Sequence, residues 1–309
     1  MGKQKGLTLV GVIVTIVVIL FIIAIILPAI STCRIDIRGR VLCATNLKGL
    51  GTAMMVYAYD CDDNYPQLPG TGPWSKRLGF DYDNATPDFD EGGAEEKVSR
   101  TITSSLYLLV READVSPKRF ICPGNDDKKW YKRSKPKKYI EFTGENTKSL
   151  DPVELWDFGA KPHEHVSYAY HNPYGKHPAG AWLPASFAVM ADMNPWFDLG
   201  NIVEPGAAKE PPQIIKLIED MTPTDWRPSN SVNHRKKGQK YANGQNVLFV
   251  DGHTSHKKQP NVGVNNDNIY TFWSTEENPI EQDKQGGTAP TSRSAENDAK
   301  SKDDSFLAI

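Results

Sequence analysis

Three short motifs of this sequence contain histidine and carboxylate side chains that could act in catalysis or bind a metal ion. A-D-M-N-P carries Asp192 and Asn194, N-H ends in His234, and G-Q-N-V-L-F-V-D-G-H carries Asp251 and His253. Two imidazoles and two carboxylates, brought together by the fold, could bind zinc or another divalent cation.

The same motifs also have an architectural interpretation, which we favour. Asp251 and Gly252 follow a strongly apolar segment and are typical of a two-residue hairpin turn between strands at 247–250 and 253–256. In this interpretation, His234 only orders the loop before the first strand. The motifs would then stabilise the fold and would not take part in a reaction.

A calcium site formed by Asp192, Asn194 and Asp198 is a third interpretation, because calcium prefers oxygen ligands. No other catalytic pattern accompanies these residues in the sequence. It has no G-x-S-x-G, no Walker motif, no glycine-rich dinucleotide loop and no C-x-x-C. We therefore expect no enzyme and no cofactor, with a divalent cation as the alternative.

The N-terminal apolar stretch over 7–30 is the element around which the chain is organised, and it contains no charged residue. A helix of that length rises about 36 Å, which is enough to cross the apolar core of a bilayer. The pattern predicts a transmembrane helix over 7–30 behind a polar leader over 1–6. A secretory signal peptide would have a shorter apolar region followed by a small-residue cleavage site.

This N-terminus resembles that of type IV prepilins and type II secretion pseudopilins. The resemblance rests on Lys5-Gly6, the Leu7-Thr-Leu start of the uncharged run, and Pro28 followed by alanine. It implies cleavage by a prepilin peptidase after Gly6, N-methylation of the new terminal Leu7, and a helix kink at Pro28. It also implies a single-pass protein of the inner (cytoplasmic) membrane, with its C-terminal domain extracytoplasmic or in a pilus-like filament.

One position departs from that family. Gly11 is the fifth residue after the expected cleavage point, where most members have a glutamate that pairs with the neighbouring subunit. Some minor pseudopilins at filament tips also lack this glutamate. The departure leaves open whether the chain is a major or a minor subunit.

A second resemblance covers residues 43–66 and the C-terminal motifs. C-A-T-N-L-K-G-L-G-T-A-M-M-V-Y-A-Y-D with a following N-Y-P, and His234 ahead of Asp251-Gly252, are similar to a large pilin-like subfamily of planctomycetes and verrucomicrobia. An insertion over 235–241 lengthens the spacing between His234 and Asp251 relative to that subfamily. The resemblance identifies a family and carries no catalytic activity with it.

The predicted fold is α+β and pilin-like, with a long N-terminal membrane-spanning helix packed against a small antiparallel sheet with large loops. Helical periodicity continues over 31–64 as an amphipathic segment. Its apolar stripe is formed by Leu47, Leu50, Met54 and Tyr57. A globular extracytoplasmic domain is predicted over 65–280, including a short helix at 99–112 and strands at 167–170, 185–192 and 246–250. The polar composition of 281–309 predicts a disordered tail.

The sequence has four cysteines: Cys33, Cys43, Cys61 and Cys122. On one continuous helix, Cys33, Cys43 and Cys61 lie at least about 15 Å apart and cannot pair with each other. Only Cys122 can close a bridge, and the spacing leaves its partner open. Because the segments around Cys43 and Cys122 both match the pilin-like subfamily, the resemblance favours a disulfide between these two.

The expected function is that of a membrane-anchored structural or accessory subunit of a type II secretion or type IV pilus-like system. The implied partners are other pseudopilins through the N-terminal helix, prepilin peptidase and the membrane. The net charge of −2 gives no global basis for binding nucleic acid. The alternative is a single-pass, surface-displayed glycan-binding protein or metal-dependent enzyme, because the 7 Trp and 12 Tyr suit sugar stacking as well as a core.

Overall fold

The computed structural model describes residues 9–76, 100–125, 155–159, 161–198, 200–203, 211–214, 222–236, 238–275, 281–294 and 296–309. Within these ranges, the side chains of 26–38, 223–224 and 281–283 are not described. The predicted leader and the cleavage and methylation positions, Gly6 and Leu7, lie outside the described residues. Processing at this junction therefore stays a prediction.

Helix α1 spans Leu9–Asp60, 52 residues. Among the residues that the structure describes, however, no helix combines the length and the apolar composition that crossing a membrane requires. The predicted membrane-spanning helix over 7–30 and the single-pass inner-membrane location are therefore wrong. The kink at Pro28 stays a prediction.

The fold is mixed α+β and is built on a five-stranded antiparallel sheet. The strands are β1 Tyr168–His171, β2 Ala188–Asp192, β5 Gln245–Phe249, β6 Thr254–Lys257 and β7 Leu307–Ala308, in the order β6-β5-β2-β1-β7. A separate pair joins β3 Phe197–Asp198 to β4 Asn201–Ile202. The other α-helices in the described part of the chain are α2 Ile102–Glu112, α3 Pro223–Trp226 and α4 Glu281–Gly286. The predicted small antiparallel sheet is thus confirmed.

The second part of α1 packs against the sheet along the predicted stripe. Leu47, Leu50 and Met54 are fully buried, and Tyr57 is half-buried. Gly51 allows the close approach, because a Cβ at this position would lie 2.6 Å from Leu248 Cδ1 on β5. Fully burying a leucine-sized side chain contributes about 1.5–3 kcal/mol, so these contacts fix α1 on the domain.

The C-terminal segment is ordered, so the prediction of a disordered tail over 281–309 is wrong. It contains α4, and β7 extends the sheet by pairing Leu307 with His171 of β1. The last four residues, Phe306 to Ile309, are all buried. The polar composition of 281–305 suggested disorder, but the short apolar end that follows it is part of the core.

The hairpin between β5 and β6 differs from the predicted two-residue turn. Phe249 N donates to His253 O at 3.0 Å, which leaves Val250, Asp251 and Gly252 as the loop. Gly252 N donates to Phe249 O at 2.9 Å, and of these loop residues Gly252 alone has a positive φ, at 79°. This geometry is a type I turn followed by a left-handed glycine, the usual form of a three-residue hairpin loop.

We expect Gly252→Val to destabilise the domain by more than about 1 kcal/mol, because a β-branched side chain is strained at positive φ. Asp251→Asn should be mild, since an asparagine oxygen can still accept the hydrogen bond that His253 N donates to Asp251 Oδ1 at 3.0 Å. Urea denaturation of the two variants checks this order. Equal unfolding midpoints for both variants would contradict the role assigned to the glycine.

Candidate metal centre

Four buried side chains from four separate segments converge at one end of the sheet. They are Cys43 of α1, Cys122 in the turn that follows a 3-10 helix at Pro117–Phe120, Asp192 at the end of β2, and His234 in the loop before β5. One ligand atom from each residue lies within 4.8 Å of all the others. These four residues could hold a metal ion.

The individual contacts define a compact group. Cys43 Sγ lies 3.0 Å from Asp192 Oδ1, and Cys122 Sγ lies 3.2 Å from His234 Nε2. His234 Nε2 lies 3.7 Å from Asp192 Oδ2. Two sulfurs, one imidazole nitrogen and one carboxylate thus surround a single point.

The carboxylate of Asp192 is fixed by the sheet and by the loop that carries His234. Asn246 N on β5 donates to Asp192 Oδ2 at 2.7 Å. Asn233 Nδ2 donates to Asp192 Oδ1 at 3.0 Å and to Ser167 O at 2.8 Å. Such second contacts orient the ligand side chains of metal sites.

His234 is held in an unusual backbone conformation beside Gly124. Its φ is 57°, and its N–H donates to Gly124 O at 2.9 Å. A Cβ on Gly124 would lie 2.0 Å from His234 Nδ1, so only glycine leaves room for the ring. Left-handed backbone at a non-glycine residue costs about 1–3 kcal/mol and is concentrated at functional sites.

The electrostatics of the cluster suit a cation. Burial raises the pKa of the Cys43 thiol well above its ordinary value, and the neighbouring Cys122 and Asp192 raise it further. Burial also raises the pKa of Cys122. Burial has the largest single effect on His234 and lowers its pKa, but the attraction of Asp192 and the contact with Cys43 together outweigh burial, so this pKa is raised. Without a cation both thiols keep their protons, whereas a bound metal favours the thiolates.

The structure brings together two of the five sequence-predicted residues, Asp192 and His234, and not the other three. Asn194 is structural, because its Nδ2 donates to Tyr270 O at 3.0 Å and to Leu307 O at 2.6 Å. Asp251 and His253 contact each other in the exposed part of the β5–β6 hairpin.

The length of β5 separates the hairpin from the cluster. Asn246, which contacts Asp192, stands near the start of the strand, and Val250 follows its end. This stretch covers about 13 Å at the rise of an extended chain. The predicted calcium ligand Asp198 is exposed on β3.

The cysteines that we paired from the resemblance lie in this cluster as free thiols. A disulfide between Cys43 and Cys122 stays a prediction, and it would use the same two sulfurs as a metal. The sequence motifs favour only a bridge between these two cysteines and do not connect them with Asp192 and His234. The signal was present, since the two cysteines and the histidine are residue types that bind zinc.

Comparisons with known proteins add no relative: no family model, no curated protein and no solved structure matches this chain.

Proposed function

We propose that the chain is a pseudopilin-like structural or accessory subunit of a type II secretion or type IV pilus-like assembly. The observation that carries the proposal is the division of α1 into two parts. The part from Cys43 to Ala58 packs on the sheet, whereas the part from Leu9 to Ile25 projects apolar side chains away from it. A helix built in this way displays a domain at one end and offers an apolar surface at the other.

The exposed apolar surface of α1 requires a partner. Leu9 is 78% exposed and Phe21 67%, and most of the side chains between them are also exposed, large and aliphatic. Contiguous apolar surfaces of this kind mark interaction sites. The occupant that fits is a helix of the same character from another subunit, because apolar helices bury such faces by packing against one another.

A divalent cation in the Cys43–Cys122–Asp192–His234 cluster belongs to the same structural role. One of its ligands is on α1, and the others are on the domain. A cation bound there joins the assembling helix to the displayed domain. This cross-link makes the helix and the domain move as one unit.

The alternative of a metal-dependent enzyme is less well supported. A catalytic zinc site has three protein ligands and keeps a position open for water or substrate. Here four protein ligands converge, and all four residues are buried. This arrangement favours a structural ion over a catalytic one.

The proposal predicts that a prepilin peptidase removes the leader. In cells that contain this peptidase, mass spectrometry of the mature protein should find a chain that starts at N-methylated Leu7. Gly6→Leu should retain the leader, because a side chain obstructs the backbone at the cut. An intact Met1 to Gly6 segment on the wild-type chain would contradict the assignment.

The proposal also predicts that charge on the apolar part of α1 prevents assembly. Ile16 is 52% exposed, and Ile16→Glu should remove the chain from a sheared filament or cross-linked subunit fraction. Thr52→Glu is the matched control, because Thr52 is exposed on the second part of the same helix. Equal recovery of both variants in the assembled fraction would overturn the subunit role.

A further inference from the structure

We propose that Cys43, Cys122, Asp192 and His234 bind one zinc ion in a closed structural site. This inference rests on the structural cation of the proposed function and specifies its identity. It does not depend on which assembly the chain enters. It assigns the two cysteines to a metal in place of a disulfide.

The distances fit a zinc ion that contacts all four side chains. Zinc lies about 2.3 Å from sulfur and about 2.0–2.1 Å from nitrogen or oxygen, which places tetrahedral ligand atoms about 3.3–3.8 Å apart. The pairs in the cluster lie at 3.0, 3.2 and 3.7 Å, and no pair exceeds 4.8 Å. Shifts below about 1 Å are therefore enough to form the coordination shell.

The ligand types select zinc among divalent cations. Calcium and magnesium prefer six or more oxygen ligands and bind poorly to sulfur. Two thiolates with an imidazole are the donor set of tetrahedral zinc sites, and the Asp192 carboxylate supplies an acceptable fourth ligand. The two thiolates balance the two positive charges of the ion, and the hydrogen bonds from Asn233 Nδ2 and Asn246 N stabilise the remaining negative charge on the Asp192 carboxylate.

The surroundings of the ligands support a built site. Gly124 N donates to Cys122 Sγ at 3.3 Å, which orients the sulfur and stabilises its thiolate form. Asn233 links two of the ligand segments, because its Oδ1 accepts from Asn125 Nδ2 of the Cys122 turn at 2.8 Å while its Nδ2 donates to Asp192. The strained backbone of His234 aims Nε2 at the other ligands.

The site would connect parts of the chain that the sheet does not connect by itself. Cys43 lies on α1 and Cys122 follows a 3-10 helix, so neither belongs to a strand. Asp192 and the loop of His234 are tied to β2 and β5. Removal of zinc should therefore loosen α1 and the Cys122 turn from the sheet before it unfolds the sheet.

The metal content of the full chain, purified without chelator, is the first test. Elemental mass spectrometry should find about one zinc per chain in the wild type. Cys61→Ser should keep this zinc, because Cys61 is half-buried at the end of α1 and outside the cluster. Cys122→Ser should lose at least about four-fifths of it.

A second measurement needs no variant and so does not depend on the folding of Cys122→Ser. Stepwise addition of an organomercurial to the wild-type chain should release its zinc as the two cluster thiols react. Chelator treatment should lower the melting temperature by several degrees, and added zinc should restore it where calcium and magnesium do not. A melting temperature that calcium restores equally well would contradict the zinc assignment.

Two further outcomes would overturn the proposal in different ways. A Cys43–Cys122 disulfide in non-reducing peptide maps of a zinc-free chain would show that the sulfurs form the bridge instead. A stoichiometric metal other than zinc would reject zinc while leaving the structural cation in place. Both results are independent of leader cleavage and of subunit assembly, so a failure here is distinguishable from a failure of the pseudopilin-like role.

Discussion

Phe306→Ala is expected to destabilise the protein by about 3–5 kcal/mol, the usual cost of deleting a fully buried aromatic side chain. Phe306 is completely buried, and its ring makes edge contacts with Phe272 at 5.5 Å and Trp74 at 6.5 Å. Its N–H donates to His171 Nδ1 on β1 at 3.3 Å. The alanine variant would leave a cavity between the sheet and the loops that cover it.

The matched control for this prediction is Lys302→Ala in the same tail. Lys302 is exposed, so its truncation should change the free energy of unfolding by less than about 0.5 kcal/mol. Urea denaturation monitored by tryptophan fluorescence measures both variants. If Phe306→Ala and Lys302→Ala were both as stable as the wild type, the C-terminal segment would not contribute to the core. That result would agree with the disorder predicted from its composition.

The sequence predicted the elements whose residue pattern depends on local periodicity. The stripe at Leu47, Leu50 and Met54 repeats at helical spacing, and the apolar run of β5 is flanked by turn residues. Both patterns are visible without knowing what they pack against. The tail was missed because β7 is only Leu307–Ala308, too short to show a period.

The metal centre could be predicted only in part, because its ligands come from segments that are distant in the sequence. Asp192 and His234 were singled out from their motifs, whereas Cys43 and Cys122 were assigned only to each other. Residue types do not reveal which distant segments the fold brings together. Asp251 was included because it belongs to the same C-terminal signature as His234, but strand β5 places it at the other end of the strand from the cluster.

The second large effect that we expect is a dependence of protein stability on pH. It arises from two buried carboxyl groups, one of which lies in the C-terminal segment. Asp304 and Asp267 are almost fully buried. Asp304 Oδ2 accepts from Trp273 N at 2.9 Å and Lys300 N at 2.7 Å. Asp267 Oδ1 accepts from Trp273 Nε1 at 2.8 Å. Burial raises the pKa of Asp304 to about 8, and burial and the nearby Asp304 raise the pKa of Asp267 well above its ordinary value.

The sign of the resulting pH dependence follows from proton linkage. In the unfolded chain Asp304 ionises near its ordinary pKa of about 3.9, whereas in the folded protein it stays protonated up to about pH 8. Between these values the folded state binds more protons than the unfolded state, so stability falls as pH rises. The contribution of the protonated carboxyl is fully present below about pH 4 and is lost as pH passes through about 8.

Asp304→Asn should therefore reduce this loss, because an amide of the same shape can accept both backbone hydrogen bonds and never ionises. Relative to the wild type, the variant should gain at least about 1.4 kcal/mol of stability between pH 5 and pH 9, the equivalent of one pKa unit.

Asp303→Asn is the control, since Asp303 is its half-buried neighbour in the chain and should follow the wild type at every pH. Urea unfolding midpoints of the three proteins, measured across this pH range, give the difference in stability between each variant and the wild type. The contributions of the histidines and of the metal centre are common to all three proteins and cancel in this difference. A constant difference between Asp304→Asn and the wild type from pH 5 to pH 9 would show that Asp304 is ionised in the folded protein throughout, and that its burial is offset by the hydrogen bonds it accepts.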